Sequence, residues 1–329
     1  MKRNLLQEIS LVKSRTEYNY RHDFSTRLNE IEYTFNESLN YNGNFNKELL
    51  KYIPIATVAC FEAFFRSVYK ELVDFGKPFS DNVTKFNQAR NVKFDFDIVN
   101  AIQSKTVTTG EFISHILPCN NFKDINSNMS LLIEKDFTKE LKNFEKESIF
   151  EEIEKTVVEF KKSSDQVITD INKIFELRHI FCHEFATNIK IDKEEILRCF
   201  ANSKLFLNQT NYFIWELLYP GAPETQTDMK IQYHKEFEVI DEELAQLITL
   251  IKKACNKEYS LGLDIILFDE SIDQWKNYRD SKAKSEASIV DGGSMYPTVY
   301  ASSLKRTTKE KIESLKDQYE IDLRKYAAR

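Results

Sequence analysis

Glycine and proline are scarce, with seven and six in 329 residues. All-β folds and wound α/β folds need many more turn residues than that, so the chain is expected to be all-α. The five cysteines, Cys60, Cys119, Cys182, Cys199 and Cys255, stand singly and form neither a CxxC pair nor a His/Cys spacing suited to a metal. They are expected to be buried thiols in a reducing cytoplasm, with no metal site, and no other motif asks for a cofactor. No window reaches the roughly 18 uninterrupted apolar residues of a membrane span. The first residues, "MKRNLLQEISLVKSRTEYNYRHDF", lack both a continuous apolar stretch and a small-residue cleavage site, so no signal peptide is expected and the location is expected to be cytoplasmic. Positive charge is not in excess: 46 Lys and Arg face 52 Asp and Glu. That excludes a global basic field, and any nucleic-acid site must be local.

What is present is a large apolar content, 42% of residues, laid out at helical spacing. Phe24, Leu28, Ile31, Phe35 and Leu39 mark a first long helix that breaks around Gly43. "IPIATVACFEAFFRSVYKELVDF", Ile53 to Phe75, is apolar around most of its circumference and is the expected central core helix, with Pro54 suited to a helix start. Residues 77–162 are shorter and more polar and read as a helical insertion with solvated faces, its mixed charge run included. Two further helices are expected over Ser164–Asn188 and, capped by Asp192, to Leu218. "YPGAPETQT", Tyr219 to Thr227, is the best boundary in the chain. Beyond it helices are expected over Lys235–Lys257 and Leu261–Ala287, followed by the turn "VDGGSMYP" and a charged helix ending near Lys325. The organisation is thus a helical domain over 1–220 and a small helical domain over 225–329.

The stretch "LRHIFCHEFA", Leu177 to Ala186, sets an arginine, two histidines and a cysteine into an apolar helical pattern. Each helical residue turns about 100°, so His179 and His183 share a face, while Arg178 and His183 point about 140° apart. Ile171, Phe175, Arg178 and Cys182 fall on one stripe, which would place a guanidinium on an apolar face where an unpaired charge is heavily penalised. It needs a partner or an anion. Two imidazoles and a guanidinium suit RNA cleavage by attack of the ribose 2′-hydroxyl on the adjacent phosphate. A histidine can move the protons and an arginine can stabilise the phosphorane. That chemistry requires no metal. The alternative is a set of hydrogen-bonded core or surface side chains.

"ELRHIFCHEF" resembles the R-polar-x-x-x-H signature of the HEPN superfamily, a helical family with many RNases, and "IATVACFEAFFRSVYKELVDF" resembles the first core helix of HEPN domains from bacterial defence and toxin systems. The resemblance covers, loosely, residues 1 to about 220. It implies a HEPN-like helical bundle and a metal-independent endoribonuclease that leaves 2′,3′-cyclic phosphate ends, acting as a defence or toxin effector. It also implies that Arg178 and His183 are the catalytic pair, with His179 the polar residue beside the arginine, and that RNA is the substrate. Such domains usually dimerise with their motifs at the interface, so groups that diverge on one helix converge across two. Glu176 can bias a histidine tautomer or be a solvated helix residue. Glu62 and Arg66 can support the site at one remove or form a helix ion pair. In some toxin members a tyrosine two positions after the histidine is modified by a partner enzyme; here that position is Phe185.

"QWKNYRDSKAKSEASIVDGGSMYPTVYASSLKRTTKEKIESLK", Gln274 to Lys316, resembles the LprI-type lysozyme-inhibitor domain, and with the preceding helix the resemblance covers about 225 to 327. Exported members usually carry two cysteines near the positions of Ala283 and Ser303, both absent here. Trp275, Tyr278 and Tyr300 are expected as packing aromatics, Gly292 and Gly293 as the reversal between helices, and Arg279 with Asp280 as a structural polar pair. On a nuclease such a module would sense a trigger, bind a regulatory partner or fix the oligomer. Two other functions remain open: a non-catalytic HEPN scaffold, and a binder of cell-wall or peptide ligands through the C-terminal domain.

Overall fold

The computed structural model describes residues 4–15, 23–38, 44–90, 96–185, 189, 192–255 and 262–328. Among them the fold is all-α, with no strand. No helix among the described residues is long and apolar enough to cross a membrane. The chain divides into two compact units, Met1–Pro220 and Gly221–Arg329.

In the first unit the helices are α1 (Leu5–Arg15), α2 (Asp23–Ser38), α3 (Asn44–Phe75), α4 (Phe79–Arg90), α5 (Phe96–Gln103), α6 (Thr109–Ile116), α7 (Phe122–Ile133), α8 (Phe137–Asn143), α9 (Glu151–His183) and α10 (Lys193–Leu218). The Ile53–Phe75 stretch is indeed central: α3 packs against α2, α4, α6, α7, α9 and α10. It starts earlier than expected, at Asn44, so Pro54 lies inside the helix rather than at its beginning. The expected break at Gly43 lies outside the described residues. Phe61, Phe65, Phe137, Phe160 and Phe206 are fully buried and their rings meet around Phe206 of α10.

Two expectations need correcting. The segment read as an insertion contributes Phe79, Phe86, Phe112, Ile125, Met129, Leu132, Phe137 and Leu141 to the same core as α3. Its helices are short, yet α4, α6, α7 and α8 turn these apolar residues inward, while α5 buries Ile98 and leaves Phe96 and Val99 exposed. The charged run, residues 132–162, takes in α8, the stretch after it and the first third of α9, a helix of 33 residues in which Val157 and Phe160 are buried on one face. The α9 and α10 pair lies side by side, and Asp192 accepts hydrogen bonds from the backbone amides of Glu194 and Glu195 at 2.9 and 3.4 Å, as a helix cap should.

The second unit contains α11 (Gln226–Ala254), α12 (Ile265–Ala287), a short 3-10 turn (Ser288–Val290), α13 (Tyr296–Gln318) and α14 (Glu320–Ala327). The expected ends at Lys257 and Leu261 lie outside the described residues. Helix α13 packs against both α11 and α12, and α14 against α11. Ile240, Leu244, Leu247, Ile251, Phe268, Ile272, Ile312 and Leu315 form the core of this unit.

Candidate functional site

The last turns of α9 carry the arginine and histidines. Ile174 and Leu177 are buried and Phe181 packs against the core, so these three, three and four residues apart, form the inward stripe. Arg178 and Cys182 lie about 100° off it. The anticipated stripe through Arg178 and Cys182 is therefore displaced by one residue: Ile171 and Phe175 are buried, but the Arg178 side chain is 34% exposed and Cys182 is exposed. Cys182 thus departs from the expectation of five buried thiols; the other four are buried. Burial pushes Cys60 and Cys119 up to about 11, and burial followed by the Asp170 charge pushes Cys199 up to about 12.

His179 and His183 do share a face. Their ring centroids lie 5.1 Å apart at an interplanar angle of 49°, and both rings are exposed. Arg178 Nη2 lies 3.8 Å from Glu62 Oε1 on α3, too far for a hydrogen bond and within reach of a loose ion pair. Glu62 therefore faces Arg178 from across the bundle, and the expected Glu62–Arg66 helix pair is not among the ion pairs of the described residues. Arg66, exposed on the next turn of α3, lines a groove instead. Glu176 is exposed and pairs with Lys173 at 3.2 Å, as a solvated helix residue does. Phe185 is fully exposed just past the end of α9; Ala186 lies outside the described residues. The arrangement places one half-buried cation and two exposed imidazoles at a single helix end.

A polar cluster that the sequence reading passed over lies two turns earlier on α9. Asp170 is 1% exposed and sits between Val167 and Ile174 in the apolar stripe. Its carboxylate accepts from Arg198 Nε at 3.1 Å, Asn202 Nδ2 at 2.6 Å and Gln166 Nε2 at 3.1 Å. Burial pushes the carboxyl up, but the bonds from Arg198 and Asn202 outweigh it and hold the group below its usual range. An acid at a core position of an amphipathic pattern was the available signal.

In the second unit, buried Arg279 of α12 donates from Nη1 to Asp241 Oδ1 of α11 at 2.6 Å and from Nε to Asp280 Oδ1 at 3.0 Å. Its guanidinium also lies over the rings of Phe237 and Trp275, at 5.2 and 5.4 Å. The Arg279–Asp280 pair is present, and Asp241 is the partner that links two helices. Trp275 is half-buried and Tyr300 is half-buried and stacked on Tyr296 at 6.2 Å, but Tyr278 is 58% exposed, contrary to its expected packing role. Gly292 has φ +71°, the left-handed backbone the reversal needs. Ala283 and Ser303, on packed helices, are both buried.

Residues 220–315 match the family described as lysozyme inhibitor LprI. The match spans the LprI-like helices α11, α12 and most of α13, including Arg279, Asp241 and the Gly292 reversal. No curated protein and no solved structure is similar enough to the chain to count as a match.

Proposed function

We propose that the Met1–Pro220 unit is a metal-independent endoribonuclease of the HEPN type, restrained until a signal arrives, as in a defence or toxin effector. The observation that carries this reading is the pair of exposed imidazoles, 5.1 Å apart, beside a half-buried guanidinium at the end of α9. None of the three is spent on the core. In this reading Arg178 leaves its loose contact with Glu62 to hold the scissile phosphate, and its forked donors stabilise the phosphorane. His183 acts as general acid or base: the 2′-hydroxyl loses its proton, its oxygen attacks phosphorus, and the 5′-oxygen leaves with a proton. His179 orients or assists. A homodimer brings two such helix ends around one phosphodiester.

The test is incubation of the purified chain with RNA in EDTA. Wild type is expected to leave 2′,3′-cyclic phosphate ends, and His183→Ala and Arg178→Ala are each expected to lose at least about 100-fold in rate. Equal cleavage by all three proteins would assign the activity to a contaminant and sink the reading.

A second reading rests on the LprI match: the Gly221–Arg329 unit is a protein-binding module, and the chain is a non-catalytic binder. Three successive exposed apolar residues at the start of α12, Ile265, Ile266 and Leu267, favour it. Calorimetric titration of the full chain with a lysozyme, repeated with Ile266→Asp, distinguishes a surface that binds from one that does not.

A further inference from the structure

A groove of about 500 Å3 opens between α1, α2, α3 and α6, and Arg178, His179 and His183 are not among the residues lining it. Its floor is apolar: Ile9, Phe24, Cys60 and Phe64 are buried there, and Ala59 and Ala63 of α3 present only methyl groups. Four cations stand around it, and three are already committed. Lys13 Nζ donates to Glu111 Oε2 at 3.1 Å, Arg27 Nη1 to Glu30 Oε2 at 2.9 Å, and Lys70 pairs with Asp74 at 3.2 Å. Arg66 differs. Among the described residues no ion pair joins it to a carboxylate; Glu62, one turn earlier on α3, faces Arg178 at 3.8 Å instead. The lining has two carboxylates of its own. Lys13 neutralises Glu111, and Asp23 enters with the start of α2, which meets α3 at Cys60, about 9 Å along the helix from Arg66.

An apolar floor with one guanidinium outside the ion pairs at its edge has the composition of a small-molecule site. We infer that this groove binds a small amphipathic anion, its apolar body on Phe24 and Phe64 and its phosphate or carboxylate head on Arg66. An aryl or alkyl body would displace poorly held water from the floor, while the head would supply the charge that α3 leaves unmatched.

The test uses the full chain and 8-anilinonaphthalene-1-sulfonate as the probe, followed by fluorescence. Saturable binding is expected, weakened about ten-fold by Arg66→Gln. Ala63→Phe is expected to fill the groove and abolish it. Ala63 is exposed in the groove, so both variants should keep the wild-type circular dichroism and melting temperature. Displacement by adenosine monophosphate would assign a nucleotide-like ligand, and displacement by decanoate a fatty-acid-like one. Probe affinity unchanged in both variants, or displacement by neither competitor, would overturn the inference. RNA cleavage is read separately and does not enter this result.

Discussion

At the scale of single residues, burial sorts the thiols and carboxylates sharply. Cys60, Cys119 and Cys199 are buried and pushed well above the ordinary thiol range, Cys255 is buried and pushed up as well, and Cys182 is exposed. Only a thiolate attacks a disulfide reagent. Titration of the folded chain with such a reagent at pH 8 is therefore expected to show one fast thiol, lost in Cys182→Ser, and four that react only on unfolding. Asp170 gives the opposite sign. Its carboxyl is held below the unfolded value, so its contribution to stability is complete above the unfolded range and fades as pH falls through the depressed folded value. Asp170→Asn is expected to cost about 2 kcal/mol at neutral pH and to flatten the fall in urea midpoint on the acid side. The pattern marks Asp170 as an acid at a core position, but what it does there, like the exposure of Cys182, is settled only when the neighbouring helix supplies, or withholds, a partner.

At the scale of elements, α3 and α10 meet at Phe206, whose ring touches those of Phe61, Phe65, Phe122, Phe137 and Phe160. Phe206→Ala should lower unfolding stability by about 3–5 kcal/mol, seen as a lower urea midpoint with an unchanged slope. Helix α6 is held differently, by a capping box in which the Glu111 amide donates to Thr108 at 3.0 Å and the Thr108 amide to Glu111 at 2.8 Å. Thr108→Ala should cost about 1 kcal/mol by the same measurement. The long elements were legible in the sequence because an apolar stripe repeats over many turns of α3, α9 and α10. The short ones were not. Helices such as α6 and α8, eight and seven residues long, span only about two turns each, too few for an apolar stripe to repeat, so their membership of the core shows only when the neighbouring helices are seen beside them.

At the scale of the whole molecule, each unit closes its own core, and the change falls between Pro220 and Gly221, inside the proline-rich and polar stretch that the sequence marks. The motif at the end of α9 was legible as residue types but not as a geometry: which of Arg178, Cys182, Leu177 and Phe181 turned inward depended on one residue of phase along a helix of 33 residues. In the proposed dimer, specific activity toward RNA should rise with protein concentration and level off as association completes, in step with the mass seen by sedimentation. In the LprI-like unit, Ala283 and Ser303 are both buried on the packed pair α12 and α13. Ala283→Cys with Ser303→Cys is therefore expected to oxidise to a bridge closing a loop of about 20 residues and to add about 3 kcal/mol to stability, read as a melting temperature that falls again on reduction.

Arg279 settles one more matter for that unit. A charge that cannot be shed sits here beside Asp241 and over two rings, Phe237 of α11 and Trp275 of α12 itself. Sliding α12 by a single turn, about 5.4 Å, would carry Asp280 and Trp275 along but draw Arg279 away from Asp241 and Phe237, so this contact indexes α12 against α11 like a key in a keyway.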